Sequence, residues 1–174
     1  MNIENKFGMK GHFKMDVISK ETGEVIDTVD DHNVITVYGF SILTTRLTRD
    51  DETTGQMYLD TIHLGDDVGS GTLLAPEAEN DALLSSDQNV VYTVPLSDLN
   101  RVHNDSKEFV YTTVLDGDEI MNSLFPTEIE LRYTSATMRF ANGDTFSYKR
   151  FPVRSLSRLV DISITWTFTF AEAA

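Results

Sequence analysis

The sequence predicts an all-β, mainly antiparallel fold: a β-sandwich or jelly-roll-like domain with one short helix. Three observations predict it. Apolar and polar residues alternate at every second position through most periodic segments, the mark of strands with one buried face. Turn-forming Gly, Asp, Ser and Thr residues separate those segments at short intervals. Only one stretch carries a helical period. Seven or more short strands and one helix suit a sandwich or jelly roll, and an eight-stranded barrel is the alternative.

The chain has 174 residues, which suits a single domain. Residues 1–10 read as an N-terminal arm and residues 11–174 as one β-sandwich domain. The first strand is marked by Phe13, Met15 and Val17 alternating with Lys14 and Asp16. The turn residues Glu21-Thr22-Gly23-Glu24 lead to a partner strand through Val25, Ile26 and Val29. From Val37 to Leu47 the period changes: Phe40, Leu43 and Leu47 recur at i, i+3 and i+7, with Tyr38 and Ile42 adding a pair at i+4. Thr36 is placed to cap this helix, and its apolar stripe suits one open end of the sheets.

Loops follow at Asp50–Gln56 and Gly65–Ala75, and strands at Tyr58–Leu64, Val90–Val94 and Phe109–Leu115. In Glu128–Tyr133, Ile129, Leu131 and Tyr133 face one way while Glu128, Glu130 and Arg132 face the other. Met138-Arg139-Phe140 and Thr145–Tyr148 flank Asn142-Gly143, a pair that suits a tight type I′ hairpin. The clearest strand is the last. Val160, Ile162, Ile164, Trp166, Phe168 and Phe170 fall on one face, and Asp161, Ser163, Thr165, Thr167 and Thr169 on the other.

Composition removes several function classes. There is no cysteine, so a disulfide scaffold, a thiolate zinc site and a cysteine nucleophile are excluded together. The 14 basic and 28 acidic residues give a net charge of −14, which opposes approach to a phosphate backbone. The N-terminus holds no apolar run of seven residues, so it does not read as a signal peptide. The most apolar stretch, Val90–Leu96, falls short of the roughly 20 residues of a spanning helix. The expectation is a soluble protein made in a cytoplasm, with neither nucleic acid nor membrane as partner.

Chemical motifs are sparse. No two of His12, His32, His63 and His103 have the i, i+2 or i, i+4 spacing that aims two ligands at one metal, so polar surface or core roles are expected for them. No Gly-x-Ser-x-Gly elbow is present. Gly65–Gly71 lacks the Gly-Lys-Ser/Thr ending of a phosphate loop, and its two aspartates would repel a phosphate. Asp116-Gly117-Asp118-Glu119 gathers three hard carboxylates, which suits either part of a calcium site or an acidic turn between Leu115 and Ile120. A hydrolase would require two carboxyls to converge in a cleft. Neither a catalytic residue nor a cofactor is expected.

Charge is unevenly distributed. From Asp50 to Asn100 there are eleven acids and no lysine or arginine. From Arg132 to Arg158 there are six basic residues, Arg132, Arg139, Lys149, Arg150, Arg154 and Arg158, against one acid, Asp144. Surfaces of opposite sign let copies or partners dock in register, and arginine suits interfaces. Those six residues are therefore the expected subunit interface.

The order of short motifs resembles that of structural proteins of tailed bacteriophages. Gly23-Glu24-Val25-Ile26, followed by His32-Asn33-Val34-Ile35-Thr36 and Gly39, is similar to their opening hairpin and His-Asn segment. Ile62-His63-Leu64-Gly65, with Gly69-Ser70-Gly71 and Ala82-Leu83-Leu84, resembles their Leu-Gly segment. Glu128-Ile129-Glu130-Leu131, Phe146–Arg150 and Ile162–Phe170 resemble their closing order, with Glu130 where the pattern has glycine. The resemblance spans roughly residues 11–170. It implies a β-sandwich virion component of the neck, collar, tail or capsid-decoration group, made in the host cytoplasm. Its partners would be other virion proteins and copies of itself as a homo-oligomer. The resemblance carries no catalytic residue. The alternative is a host-receptor or carbohydrate-binding module of a tail fibre.

Overall fold

The computed structural model describes residues 7–36, 39, 41, 58–66, 90–96, 101–105 and 107–172. The strands are β1 Phe7–Ser19, β2 Val25–Ile35, β3 Leu59–Gly65, β4 Val90–Pro95, β5 Arg101–Asp105, β6 Glu108–Leu115, β7 Glu130–Phe140, β8 Thr145–Ser157 and β9 Val160–Glu172. Helix α1, Gly117–Leu124, connects β6 to β7. The strands lie in the order β4-β3-β7-β8-β2-β1-β9-β6-β5, and every pairing is antiparallel. The fold is therefore all-β and sandwich-like, as the alternation predicts.

One strand turns the sheet back on itself. β2 pairs with β1 from Val25 to Asn33, then with β8 only at Val34 and Ile35. On one side of this crossing lie β2-β1-β9-β6-β5, and on the other β4-β3-β7-β8. Their inner faces meet in an aromatic core. Phe13 of β1 stacks on Phe151 of β8 at 5.8 Å, and Phe146 of β8 meets Phe168 of β9 at 4.9 Å. Ile162, Ile164, Trp166 and Phe168 are fully buried, opposite Val17, Met15, Phe13 and Gly11 of β1. Burying a side chain of this size contributes about 1.5–3 kcal/mol, so this strand pair is a main source of stability.

Several boundaries differ from the sequence expectation. β1 begins at Phe7, which pairs with Glu172, so residues 7–10 belong to the sheet and not to an arm. The segments expected at Glu128–Tyr133 and Met138–Phe140 are one strand, β7. Its residues from Tyr133 to Phe140 are all buried, so the polar members Thr134, Ser135, Thr137 and Arg139 interrupt the alternation without facing water. Ile129 precedes the strand and is 84% exposed. Val25 and Ile26 are also exposed, and of the residues chosen for β2 only Val29 is buried. The short strand β5 carries no period of its own and was not expected.

The Asn142-Gly143 turn is not type I′. Within the turn only Gly143 has positive φ, at 92°, and among the described residues no non-glycine residue does. Gly143 donates its amide to the Phe140 carbonyl at 2.8 Å, which describes a type I turn followed by a left-handed glycine. The helix expected over Val37–Leu47 lies outside the described residues except for Gly39 and Ser41. Thr36 does perform the expected capping bond: its hydroxyl accepts from the Gly39 amide at 2.8 Å and donates to the Thr145 carbonyl at 2.7 Å.

Helix α1 occupies the stretch read as an acidic turn or part of a calcium site. Asp116 is its N-cap, accepting from the Glu119 amide at 2.9 Å. Asp118 and Glu119 fill the first turn, where carboxylates favour the helix dipole. Ile120 and Met121 turn inward and are buried.

Candidate interaction surface

The seam between β2 and β8 shows what the basic segment does within the fold. Beyond Val34 and Ile35, no ladder pair joins these strands among the described residues. Side chains cross instead. Lys149 donates from Nζ to Asp31 at 2.5 Å and to the His32 carbonyl at 2.9 Å. Arg154 pairs with Asp27, Nε to Oδ2 at 2.6 Å, with a second guanidinium nitrogen 3.3 Å from Oδ1. The Lys149 ammonium holds the Asp31 carboxyl below its usual range. At the crossing itself, the Asn33 amide donates to Ser147 Oγ, which donates to the Val34 carbonyl.

Two more of the six basic residues also serve the fold. Arg139 is 3% exposed and donates to the Gly143 carbonyl at 3.3 Å. Arg158 clamps the segment after α1: its guanidinium reaches Asn122 Oδ1 at 2.7 Å and the carbonyls of Glu128 and Pro126 at 2.8 and 3.1 Å. Arg150 is half-buried, and Arg132 on β7 is exposed. Sequence therefore groups six charges, four of which the structure spreads over a seam, a turn and a helix clamp. Of the eleven acids expected opposite them, Asp60 and Asp66 are half-buried in described segments, and the other nine lie outside the described residues.

The carboxylates at the start of α1 are similarly engaged. Lys20, in the β1–β2 turn, donates to Asp116 at 2.5 Å and lies 3.3 Å from Asp161. Its hydrogen bond holds Asp116 below the usual carboxylate range, and the lysine rises in turn. Asp118 accepts from the Asn122 side chain at 2.8 Å. Among the described residues, no group of three or more His, Asp or Glu side chains could hold a metal ion.

The histidines are placed in a way their spacing does not reveal. His12 and His32 are directly opposite on β1 and β2. Their rings meet edge to face with centroids 5.9 Å apart, and His12 Nε2 lies 2.8 Å from Asp30 Oδ1. Twenty residues apart in sequence, they are neighbours because the hairpin turns near residue 22. A hairpin turning at Glu21–Glu24 sets positions 12 and 32 opposite each other. His63, on β3, has Nε2 3.2 Å from Thr61 Oγ1, and His103 is on β5.

Two clefts accompany these features. One of about 410 Å³, lined by Met9, Lys10, Gly11, His32, Asn33 and Ile35, opens where β2 leaves β1. A β-carbon on Gly11 would overlap the Asn33 side chain, so glycine is what lets the crossing residue seat there. The other, about 320 Å³, lies between β4, β6 and α1, with Tyr92, Leu115, Ile120 and Leu124 in its wall. Burial pushes the Tyr92 hydroxyl up in pKa. Among the described residues no helix is long and apolar enough to cross a membrane. No family model, curated protein or solved structure matches the chain.

Proposed function

We propose that this protein is a non-enzymatic structural component of a tailed-bacteriophage particle. It assembles in multiple copies with other virion proteins at the neck, collar, tail or capsid. The observation that carries this reading is the ordered set of motifs running from the His-Asn segment to the Trp-x-Phe-x-Phe strand. The sandwich-like fold is compatible with it, and the ionic side chains described above are occupied in holding strands and caps together. Trp166 is fully buried, so it offers no face for stacking on a sugar, which weighs against the carbohydrate-binding alternative.

Within this reading, Arg132 is the exposed member of the basic segment and supplies charge toward a neighbouring subunit. Exposed pairs contribute only about 0–1 kcal/mol each, so charge sets register and association rate while apolar contacts supply most of the affinity. Mass spectrometry of purified virions, with electron microscopy of particles lacking the protein, tests the assignment. The protein is expected in stoichiometric amounts at one layer of the particle, and its absence from purified particles overturns the proposal.

A further inference from the structure

We propose that one end of the fold docks a second protein whose contact surface is apolar and ringed by lysine or arginine. This end is formed by the β1–β2 turn, the β8–β9 turn and the segment after α1. Five of the nine exposed large apolar residues among those described belong to it: Val25, Ile26, Leu124, Ile129 and Leu159, each more than half exposed. Bonds tie together the segments that carry them. Ile18 opposes Val25 and Ser19 opposes Val160, so Val25 and Leu159 flank the end of β1. The Lys20 amide donates to the Leu159 carbonyl at 3.0 Å. Arg158, adjoining Leu159, reaches the Glu128 carbonyl beside Ile129 and the Asn122 side chain two positions before Leu124. Single exposed apolar residues are ordinary on a surface, but a group of them marks an interaction site.

Charge selects the partner. Glu21, Glu24, Glu128 and Glu130 are exposed in the same segments, and among the described residues no ion pair engages their carboxylates. Most cations at this end are already occupied. Lys20 serves Asp116 and Asp161, Arg154 serves Asp27, and Arg158 serves Asn122 and two carbonyls. Arg132, two positions from Glu130 on one strand, is exposed and offsets one of the four acids. A symmetric contact sets a patch against its own copy, which here would face these carboxylates against one another. Nucleic acid and anionic lipid meet the same repulsion. A protein surface with cations around an apolar centre complements both the apolar residues and the acids. Such docking follows from the patch itself and is independent of the particle proposed above.

The full chain is titrated by calorimetry with a synthetic helical peptide that carries leucine on one face flanked by lysine. A counterpart peptide bears glutamate in place of lysine. The lysine peptide should bind saturably, and more weakly as salt rises from about 0.1 M to 1 M and the screening length falls from about 10 Å to 3 Å. The glutamate peptide should not bind. Ile129→Ser combined with Leu159→Ser should weaken binding about tenfold or more. Glu128→Gln combined with Glu130→Gln should weaken it and reduce its salt dependence. Tyr58→Ser, at the opposite end where the Tyr58 carbonyl accepts from the Ala141 amide, should leave it unchanged. All these side chains are exposed, so each variant should melt with the parent. Lysine-peptide binding that is absent, or that survives the Ile129 and Leu159 substitutions undiminished, overturns the docking. So does self-association in sedimentation that those two substitutions abolish, or saturable binding to phosphatidylglycerol vesicles that they abolish.

Discussion

Gly117 stands against the carbonyl oxygen of Val160 with room for a hydrogen and none for a methyl group. The same β-carbon would overlap the carbonyl of Ser157, and both obstacles are backbone, which cannot swing aside as a side chain can. The Gly117 amide also bonds Asp161 at 3.2 Å, which seats the start of α1 on the turn between β8 and β9. Alanine is worth about 1 kcal/mol over glycine in a free helix, yet here the overlap should outweigh that gain. Gly117→Ala is expected to destabilise by about 1–3 kcal/mol, the usual cost of overpacking. Chemical denaturation measures it, and an unchanged or raised midpoint would show that the helix does not dock this way.

Trp166 supplies the second prediction. It is fully buried and meets Phe13 edge to face at 4.9 Å. Truncating a large core aromatic costs about 3–5 kcal/mol, a large part of the roughly 5–15 kcal/mol that holds a typical domain. Trp166→Ala should unfold or aggregate, and melting within a few degrees of the parent would contradict the packing described.

Stability should fall in acid for an identifiable reason. Asp31 and Asp116 are held below the ordinary carboxylate pKa of 3.8, first by hydrogen bonds from Lys149 and Lys20 respectively. A carboxyl with a depressed folded pKa binds more protons when unfolded, so its contribution is complete above the unfolded value and is lost as pH falls through the folded one. The denaturation midpoint should therefore be flat from neutral pH down to about pH 5 and decline below it. Lys149→Met should flatten the part of that decline due to Asp31, and Lys20→Met the part due to Asp116. An acid limb unaltered in both variants would exclude these pairs as its source.

Two arginines separate folding from assembly. Arg154→Glu removes the partner of Asp27 and sets two carboxylates against each other across the β2–β8 seam, so the isolated protein should melt earlier. Arg132→Glu alters only an exposed position and should leave the melting temperature unchanged while slowing incorporation into particles. Raising salt from about 0.1 M to 1 M shortens the screening length from about 10 Å to 3 Å and should slow association of the parent in the same direction. Incorporation of Arg132→Glu at the parental rate would refute charge-guided docking.

What the sequence disclosed follows the physics of one-sided burial. β9 and β1 show core residues on one face and polar ones on the other, so a period of two identifies them directly. β7 hides both faces from Tyr133 onward, and polar residues such as Thr134 and Arg139 then break the pattern although the strand continues. Helix α1 was legible in principle: Asp116 and Glu119 stand at the spacing of a capping box, with Ile120 and Met121 behind them. The glycine and clustered acids instead suggested a turn. Interaction residues were the least legible, because like charges close in sequence point to separate tasks. Arg154 and Arg158, four positions apart, reach Asp27 on one strand and Asn122 on the helix.

The neighbour that β1 needs is the last of the nine described strands. β1 and β9 are bonded from Phe7 opposite Glu172 to Ser19 opposite Val160. At about 5–20 residues per second, β9 follows β1 out of the ribosome by roughly 7–30 s. Through that interval the nascent hairpin lacks the strand that lies beside Phe13, Met15 and Val17. Neighbouring nascent chains on one messenger would display the missing strand at staggered times. Exchange of β9 between copies is thus the misassembly this topology invites, and slower elongation lengthens the window in which it can occur.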